Sequence, residues 1–194
     1  MIPLLAGTGN CSGPDGGRKA EKNFWGSGYS MVFVQEAFMD YRIESYNYPT
    51  RILFGFTAGF IAVVTLNQLT VLILWHAGLA PFSGYSIARN SSGVPQVLSY
   101  AFWGGVWGII FSMVERRFPA HRGYWVTVFL FGAVFVSAVA LLVVLPLKGQ
   151  PMGGGWHLPL LITVFLANGA WGIGTGLILK GLSGWLHRWR QVPA

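Results

Sequence analysis

The side chains that could carry chemistry inside this protein are three carboxamides in long apolar stretches, Asn67, Gln68 and Asn168. Amides donate and accept hydrogen bonds without ionising, so they can join neighbouring helices or bind a small neutral solute. Proton transport, ion transport and catalysis at membrane depth usually need an ionisable group there, and these stretches contain no Asp, Glu, Lys or Arg. The amides predict an intramembrane polar cluster, with hydrogen bonding between helices favoured over solute binding.

Histidine and cysteine are the other residue types that could bind a cofactor or act as nucleophiles. A b-type haem needs opposed histidines inside the bundle, whereas all four fall at or beyond the ends of the apolar stretches: His76, His121, His157 and His187. Cys11 alone cannot form an internal disulfide or a zinc site. We found no phosphate-binding loop and no Ser-His-Asp arrangement. The sequence therefore predicts no catalytic residue, no metal, no cofactor and no enzymatic activity.

The elements that must position the amides are four apolar segments, 52–75, 95–114, 124–147 and 158–179. Each has the roughly 20 residues that a helix needs to cross a hydrocarbon core. Composition agrees, since 53% of the 194 residues are hydrophobic and 10% are charged. We predict one all-α domain over 49–182, an integral membrane four-helix bundle. Residues 1–48 are predicted to be an N-terminal extension, largely disordered or interfacial, and 183–194 a basic aromatic tail.

Basic residues are distributed unevenly between the two ends of these segments. Two lie at one end, Arg89 and Lys148, and eight at the other: Arg42, Arg51, Arg116, Arg117, Arg122, Lys180, Arg188 and Arg190. Lys and Arg are retained on the cytoplasmic side during insertion. We therefore expect a bacterial inner-membrane protein with both termini in the cytoplasm. The net charge of +7 fits anionic lipid headgroups as a partner, and nucleic acid is not expected.

Both terminal regions carry local patterns. Residues 31–48, MVFVQEAFMDYRIESYNY, predict a helix along the inner surface, and the Gly-rich residues before it cannot bury enough apolar surface to fold alone. Met31 or Met39 is an alternative start. The tail KGLSGWLHRWRQ predicts either a short interfacial helix or a plain stop-transfer segment.

Small residues spaced four apart mark three of the segments. They are Gly55 and Gly59, then Gly104, Gly108 and Ser112, then Gly172 and Gly176. Such stripes let helix backbones approach closely. The two helices can belong to one chain, or one of them can belong to a second copy or to another membrane protein. We predict that the first and fourth helices meet along their glycine faces, with Asn67 and Asn168 both inside the bundle and bonded directly or through one intermediary. The second helix is the competing neighbour, and Trp103 and Trp107 beside its stripe are expected to fill space between helices.

Two segments resemble each other at an offset of 64 residues. FWGGVWGIIFSMVER from Phe102 aligns with LANGAWGIGTGLILK from Leu166. In the first and third segments only Leu53-Phe54-Gly55 agrees with Leu130-Phe131-Gly132, at a different offset. A repeated helical hairpin and chance recurrence of Gly and Trp both stay open.

The stretches RILFGFTAGFIAVVT, GVPQVLSYAFWGGVWGIIF and NGAWGIGTGLIL resemble a group of small uncharacterised bacterial four-helix inner-membrane proteins, over about residues 50–180. This resemblance implies a fold and a location, and it implies no activity. The leading hypothesis is a non-catalytic polytopic membrane protein, a subunit or assembly factor of a larger complex. An oligomeric channel or carrier for a small neutral solute is the first alternative, and a haem- or quinone-linked oxidoreductase is the second.

Overall fold

A computed structural model of the chain describes residues 47–90, 93–119 and 122–190, with side chains through Leu186. This part contains four long helices: α1 Tyr48–His76, α2 Gln96–Arg117, α3 Arg122–Leu147 and α4 Leu158–Arg190. All four are long and apolar enough to cross a membrane, and the predicted all-α helical bundle is confirmed. The predicted extension over residues 1–48 lies almost entirely outside the described residues.

The fourth helix is longer than predicted. It passes Lys180, where we expected it to end, and continues without a break to Arg190. The tail from residue 183 is thus a continuation of α4 as far as the structure describes it. Lysine is a good helix former, so its charge predicts where a helix leaves the hydrocarbon and not where the helix stops.

The backbones of α1 and α2 meet at glycines. A Cβ atom on Gly55 would lie 2.6 Å from the Gly108 carbonyl oxygen, and one on Gly59 would lie 2.8 Å from Gly108 Cα and against the Gly104 carbonyl. Only hydrogen fits between these backbones. The prediction that α1 turns its glycine face toward α4 is wrong, because the competing neighbour α2 occupies that face.

The glycine face of α4 packs against α3. A Cβ atom on Gly172 would meet the Val128 carbonyl, and one on Gly176 would lie 3.0 Å from the Tyr124 hydroxyl. The six predicted packing glycines are all buried. Each hairpin, α1 with α2 and α3 with α4, therefore uses its small residues internally.

The contacts of the two hairpins correspond. The ring of Phe56 covers Gly105 as the ring of Phe129 covers Gly169, each within 3 Å of an added Cβ. These pairs place α2 and α4 at the predicted offset of 64 and place α1 and α3 at an offset of 73. The alignment of Leu53-Phe54-Gly55 with the third segment, at offset 77, was wrong by four residues, which is about one helical turn and keeps the same helix face.

Two aromatic side chains fill the centre, where the hairpins meet along α1 and α4. Trp171, 2% exposed, donates its indole N–H to the Gly59 carbonyl at 3.0 Å. Phe111, fully buried, packs edge-on against Trp171 with ring centroids 6.3 Å apart. Trp107 packs against the third helix, as expected of a filler. Trp103 does not, because its side chain is 59% exposed on the outer face of α2.

The connection between α1 and α2 folds back along α1. The Tyr85 hydroxyl donates to the Thr65 carbonyl at 3.4 Å, three turns before the end of α1. The carbonyl of the next residue, Ser86, accepts the backbone N–H of Val97 at 3.2 Å, which satisfies a donor that the first turn of α2 leaves open. The connection therefore closes the hairpin and brings backbone groups to the level of the amides.

The glycine contact between α1 and α2 predicts a contrast between two identical substitutions. Gly59→Ala should destabilise the bundle by about 1–3 kcal/mol, because its methyl group meets backbone atoms that cannot rotate away. Gly181→Ala is the matched control, since an added Cβ there has nothing within 4 Å, and it should stabilise α4 by about 0.5–1 kcal/mol. Unfolding by SDS in mixed micelles measures both. Equal effects would contradict the close approach of α1 and α2.

Candidate functional site

A hydrogen-bonded chain of polar side chains crosses the bundle at the level of the predicted amides. Gln68 Nε2 donates to Asn67 Oδ1 at 3.2 Å, and Asn67 Nδ2 donates to Asn168 Oδ1 at 3.5 Å. Asn168 Nδ2 then donates to Ser137 Oγ at 3.0 Å. The structure thus brings the three predicted amides together, and the bond predicted between Asn67 and Asn168 is present. This polar chain ties α1 to α4 and α4 to α3.

Both ends of the polar chain terminate on backbone groups. The Tyr85 N–H donates to Gln68 Oε1 at 2.8 Å. At the other end, Ser137 Oγ lies 3.3 Å from the Val164 carbonyl and 3.4 Å from the Gly132 carbonyl. The donors all point the same way, from the connection after α1 toward α3. Aligned amide dipoles polarise one another, so each hydrogen bond strengthens its neighbours.

The helices change geometry where they contribute to the polar chain. A π-helical turn over Val63–Asn67 interrupts α1, and another over Phe131–Val136 interrupts α3 immediately before Ser137. A π turn inserts one extra residue per turn and so changes the directions in which the following side chains point. Asn67 is the last residue of the first π turn, and Ser137 directly follows the second. Both polar residues therefore lie where the extra residue has changed the direction in which side chains point.

Two members of the polar chain were missed by sequence reasoning. Ser137 is an isolated hydroxyl in an apolar helix, and such a hydroxyl usually bonds a carbonyl of its own helix, so its residue type gave no signal. Tyr85 contributes only its backbone N–H. Its φ of 56° is uncommon for a residue other than glycine, and no sequence pattern marks it.

A second polar cluster lies at the opposite end of the bundle, and every helix contributes to it. Arg51, 4% exposed, donates from its guanidinium to the Ser112 carbonyl at 2.5 Å. The Tyr124 hydroxyl donates to Glu115 Oε1 at 2.5 Å. Lys180, 5% exposed, holds its ammonium 3.7 Å from the centre of the Tyr124 ring. The cluster combines hydrogen bonds with a cation–π contact.

The burial of Arg51 and Lys180 corrects our expectation that they lie among lipid headgroups. Each follows or precedes an apolar segment directly, a position where exposure to headgroups is the usual outcome. Their burial depends on Tyr124 and Ser112, which are distant in the sequence. No local pattern could have indicated these contacts.

The other candidate ligands remain apart. His76 and His157 are exposed, and His121 and the His187 side chain lie outside the described part of the chain. In the ranges that the structure describes, no three residues of the types His, Cys, Asp and Glu are grouped to hold a metal ion. The geometry accordingly offers hydrogen bonding between helices as the chemistry of the site.

Comparisons with protein families, with curated proteins and with solved structures give no match to this chain. The resemblance to small bacterial four-helix inner-membrane proteins therefore remains a prediction from the sequence motifs.

The polar chain predicts a measurable coupling between Asn67 and Asn168. We expect Asn67→Leu and Asn168→Leu each to destabilise the bundle by about 1–2 kcal/mol, because each leaves a polar partner unsatisfied. In a double-mutant cycle of SDS unfolding, the pair should show a coupling of about 0.6–1 kcal/mol. Thr65→Val is the control, since the Thr65 hydroxyl bonds the Ile61 carbonyl of its own helix, and its coupling to Asn168→Leu should be near zero. A coupling near zero for both pairs would refute the cross-helix bond.

Proposed function

We propose that this protein is a non-catalytic integral membrane protein that serves as a rigid subunit or assembly factor of a larger membrane complex. The observation that carries the proposal is that the amides of the polar chain hydrogen-bond one another. Asn67 and Asn168 each accept one hydrogen bond and donate another within the polar chain. A solute site presents such groups to its ligand, whereas groups that bond one another fix the positions of helices.

The packed centre of the bundle also supports a structural subunit or assembly factor. Trp171 and Phe111 occupy the space between the hairpins, where a single-chain channel would need an open path. A channel would have to be built between several copies, with the amides facing the shared path. The hydrogen bond from Asn168 to Ser137 of α3 favours a structural subunit over such a channel.

We also propose a bacterial inner-membrane location with both termini in the cytoplasm. Arg116, Arg117 and Arg122 are exposed at the end of the bundle where Arg51 and Lys180 are buried. Exposed Arg89 and Lys148 are the described basic residues of the opposite end. The excess of Arg and Lys at the first end supports its cytoplasmic placement and contact with anionic headgroups.

Membership of a complex is tested by blue-native electrophoresis of gently solubilised membranes. The protein should migrate in a species larger than its own monomer, and a second protein should co-purify with it. Asn168→Leu should lower the amount of this species as it loosens the bundle, and Thr65→Val should leave it unchanged. Migration as a lone monomer from native membranes would contradict the proposal. Solute flux through liposomes that hold the purified protein would favour the oligomeric channel instead.

The orientation is tested by cysteine labelling in a Cys11→Ser background. Gln150→Cys, on the exposed connection between α3 and α4, should react with a membrane-impermeant maleimide in spheroplasts. Arg117→Cys, exposed at the other end, should react only after permeabilisation. The reverse pattern would show the opposite orientation.

A further inference from the structure

Two tryptophans lie in the middle of α2, away from both headgroup layers. Trp103 and Trp107 follow Gln96 by 7 and 11 residues and precede Glu115 by 12 and 8. Each is therefore about 10 Å or more, along the helix axis, from either residue. Tryptophan normally occupies the membrane interface, where water or headgroup oxygens accept its indole N–H. Hydrocarbon offers no such acceptor, so an acceptor for these two donors has to come from a molecule within the bilayer.

The indole N–H groups of this tryptophan pair, Trp103 and Trp107, have no acceptor in the part of the chain that the structure describes. Trp103 meets the adjacent Phe102 edge-on, and most of its side chain is exposed. Trp107 is partly buried, with its ring at 90° to that of Phe135 of α3, and its nitrogen is not enclosed. Because they are four residues apart, the two side chains share one face of α2. This face thus presents two unsatisfied donors at membrane depth.

The repeat of the two hairpins shows what such a donor bonds within this chain. Trp171, the counterpart of Trp107 at the offset of 64 residues, donates to the Gly59 carbonyl of α1 at 3.0 Å. A Cβ atom on Gly104 would lie 3.3 Å from that indole nitrogen. Small residues therefore leave the space in which the indole reaches a backbone carbonyl of a neighbouring helix. A helix of the same kind, placed beside α2, would supply the acceptors that the tryptophan pair lacks.

The spacing of the two donors also fits a helix. They are one turn apart, about 6 Å along the axis, and the carbonyl groups on one face of an α-helix recur at the same interval. A second copy of this chain does not provide such a helix. In the four helices as far as Leu186, no glycine, alanine or serine is exposed, because the small residues are already used inside the bundle. The helix has to come from a different protein.

We propose that the face of α2 with the tryptophan pair is the docking surface for a transmembrane helix of a different protein. This helix carries small residues, so that its backbone carbonyls accept the indole N–H groups of Trp103 and Trp107. Phe135 borders the surface and is exposed, which adds an aromatic ring to the contact. The inference rests on the proposed function, since it assigns the surface through which the protein joins its complex.

The first test removes the donors and keeps aromatic rings in their place. Trp103→Phe/Trp107→Phe should raise the dissociation constant of the purified complex about tenfold, because two hydrogen bonds are lost. Trp103→Phe alone should give a smaller rise, and it leaves the contact between Trp107 and Phe135 intact if the double variant folds poorly. Trp75→Phe, the same substitution at the exposed outer end of α1, is the control and should change nothing. An unchanged dissociation constant in both tryptophan-pair variants would overturn the inference.

The second test identifies the occupant by photocrosslinking in native membranes. The photoreactive amino acid p-benzoylphenylalanine at position 103 should form an adduct with the protein that co-purifies in the larger species. Position 61 is the control, because Ile61 is exposed on α1 and the contact between Gly59 and Gly104 places it at nearly the depth of Trp103. The same amino acid at position 61 should give no protein adduct.

The outcomes separate this inference from the proposed function. Suppose that the protein migrates in the larger species, but position 103 forms adducts only with lipid, with a quinone or with a second copy. The docking surface would then be wrong and the proposed function would stand. A protein adduct at position 61 and none at position 103 would have the same meaning. Migration as a lone monomer from native membranes would overturn both.

Discussion

The close approach of the α1 and α2 backbones at Gly59, Gly104 and Gly108 is the contact on which the other helix positions depend. In lipid, apolar side chains gain little by leaving their surroundings, so helices associate through short-range packing and hydrogen bonds. With α1 held against α2, the Gly59 carbonyl is presented to Trp171, which fixes the register of α4. The fourth helix in turn packs against α3 through its own glycine face. The bundle is thus held together by successive backbone contacts between helices, and aromatic side chains fill the space between the hairpins.

The sequence predicted the helices well and their neighbours poorly, and the reason is geometric. A run of about 20 residues without charge is sufficient to define a spanning helix, and the spacing of Asn67 and Asn168 from their glycines predicted two amides about one helical turn apart in depth, near enough to bond. A glycine face, however, is complementary to any other glycine face, so it could not say whether α1 would pack on α2 or on α4. The alignment of the repeat was ambiguous for the same kind of reason. Shifting the match between Phe54 and Phe131 by four residues leaves the same helix face in register.

The candidate site was predictable to the extent that residue type determines its chemistry. Amides at membrane depth must find partners, and Asn67, Gln68 and Asn168 could therefore be named. Their remaining partners depend on tertiary structure: Ser137 is turned toward Asn168 after a π turn, and Tyr85 uses a backbone N–H. The buried Arg51 and Lys180 belong to the same class, since side chains from other helices decide their environment.

The pairing of consecutive helices also bears on how such a chain is made. The first hairpin leaves the ribosome before the second, and its glycine contact needs nothing that comes later. Gln68 can bond Asn67 and the Tyr85 N–H at that stage, so these two amides are already partly hydrogen-bonded before the second hairpin arrives. One N–H donor of Asn67 is satisfied only when the second hairpin brings Asn168. The order of translation is therefore also the order in which the polar groups find their partners.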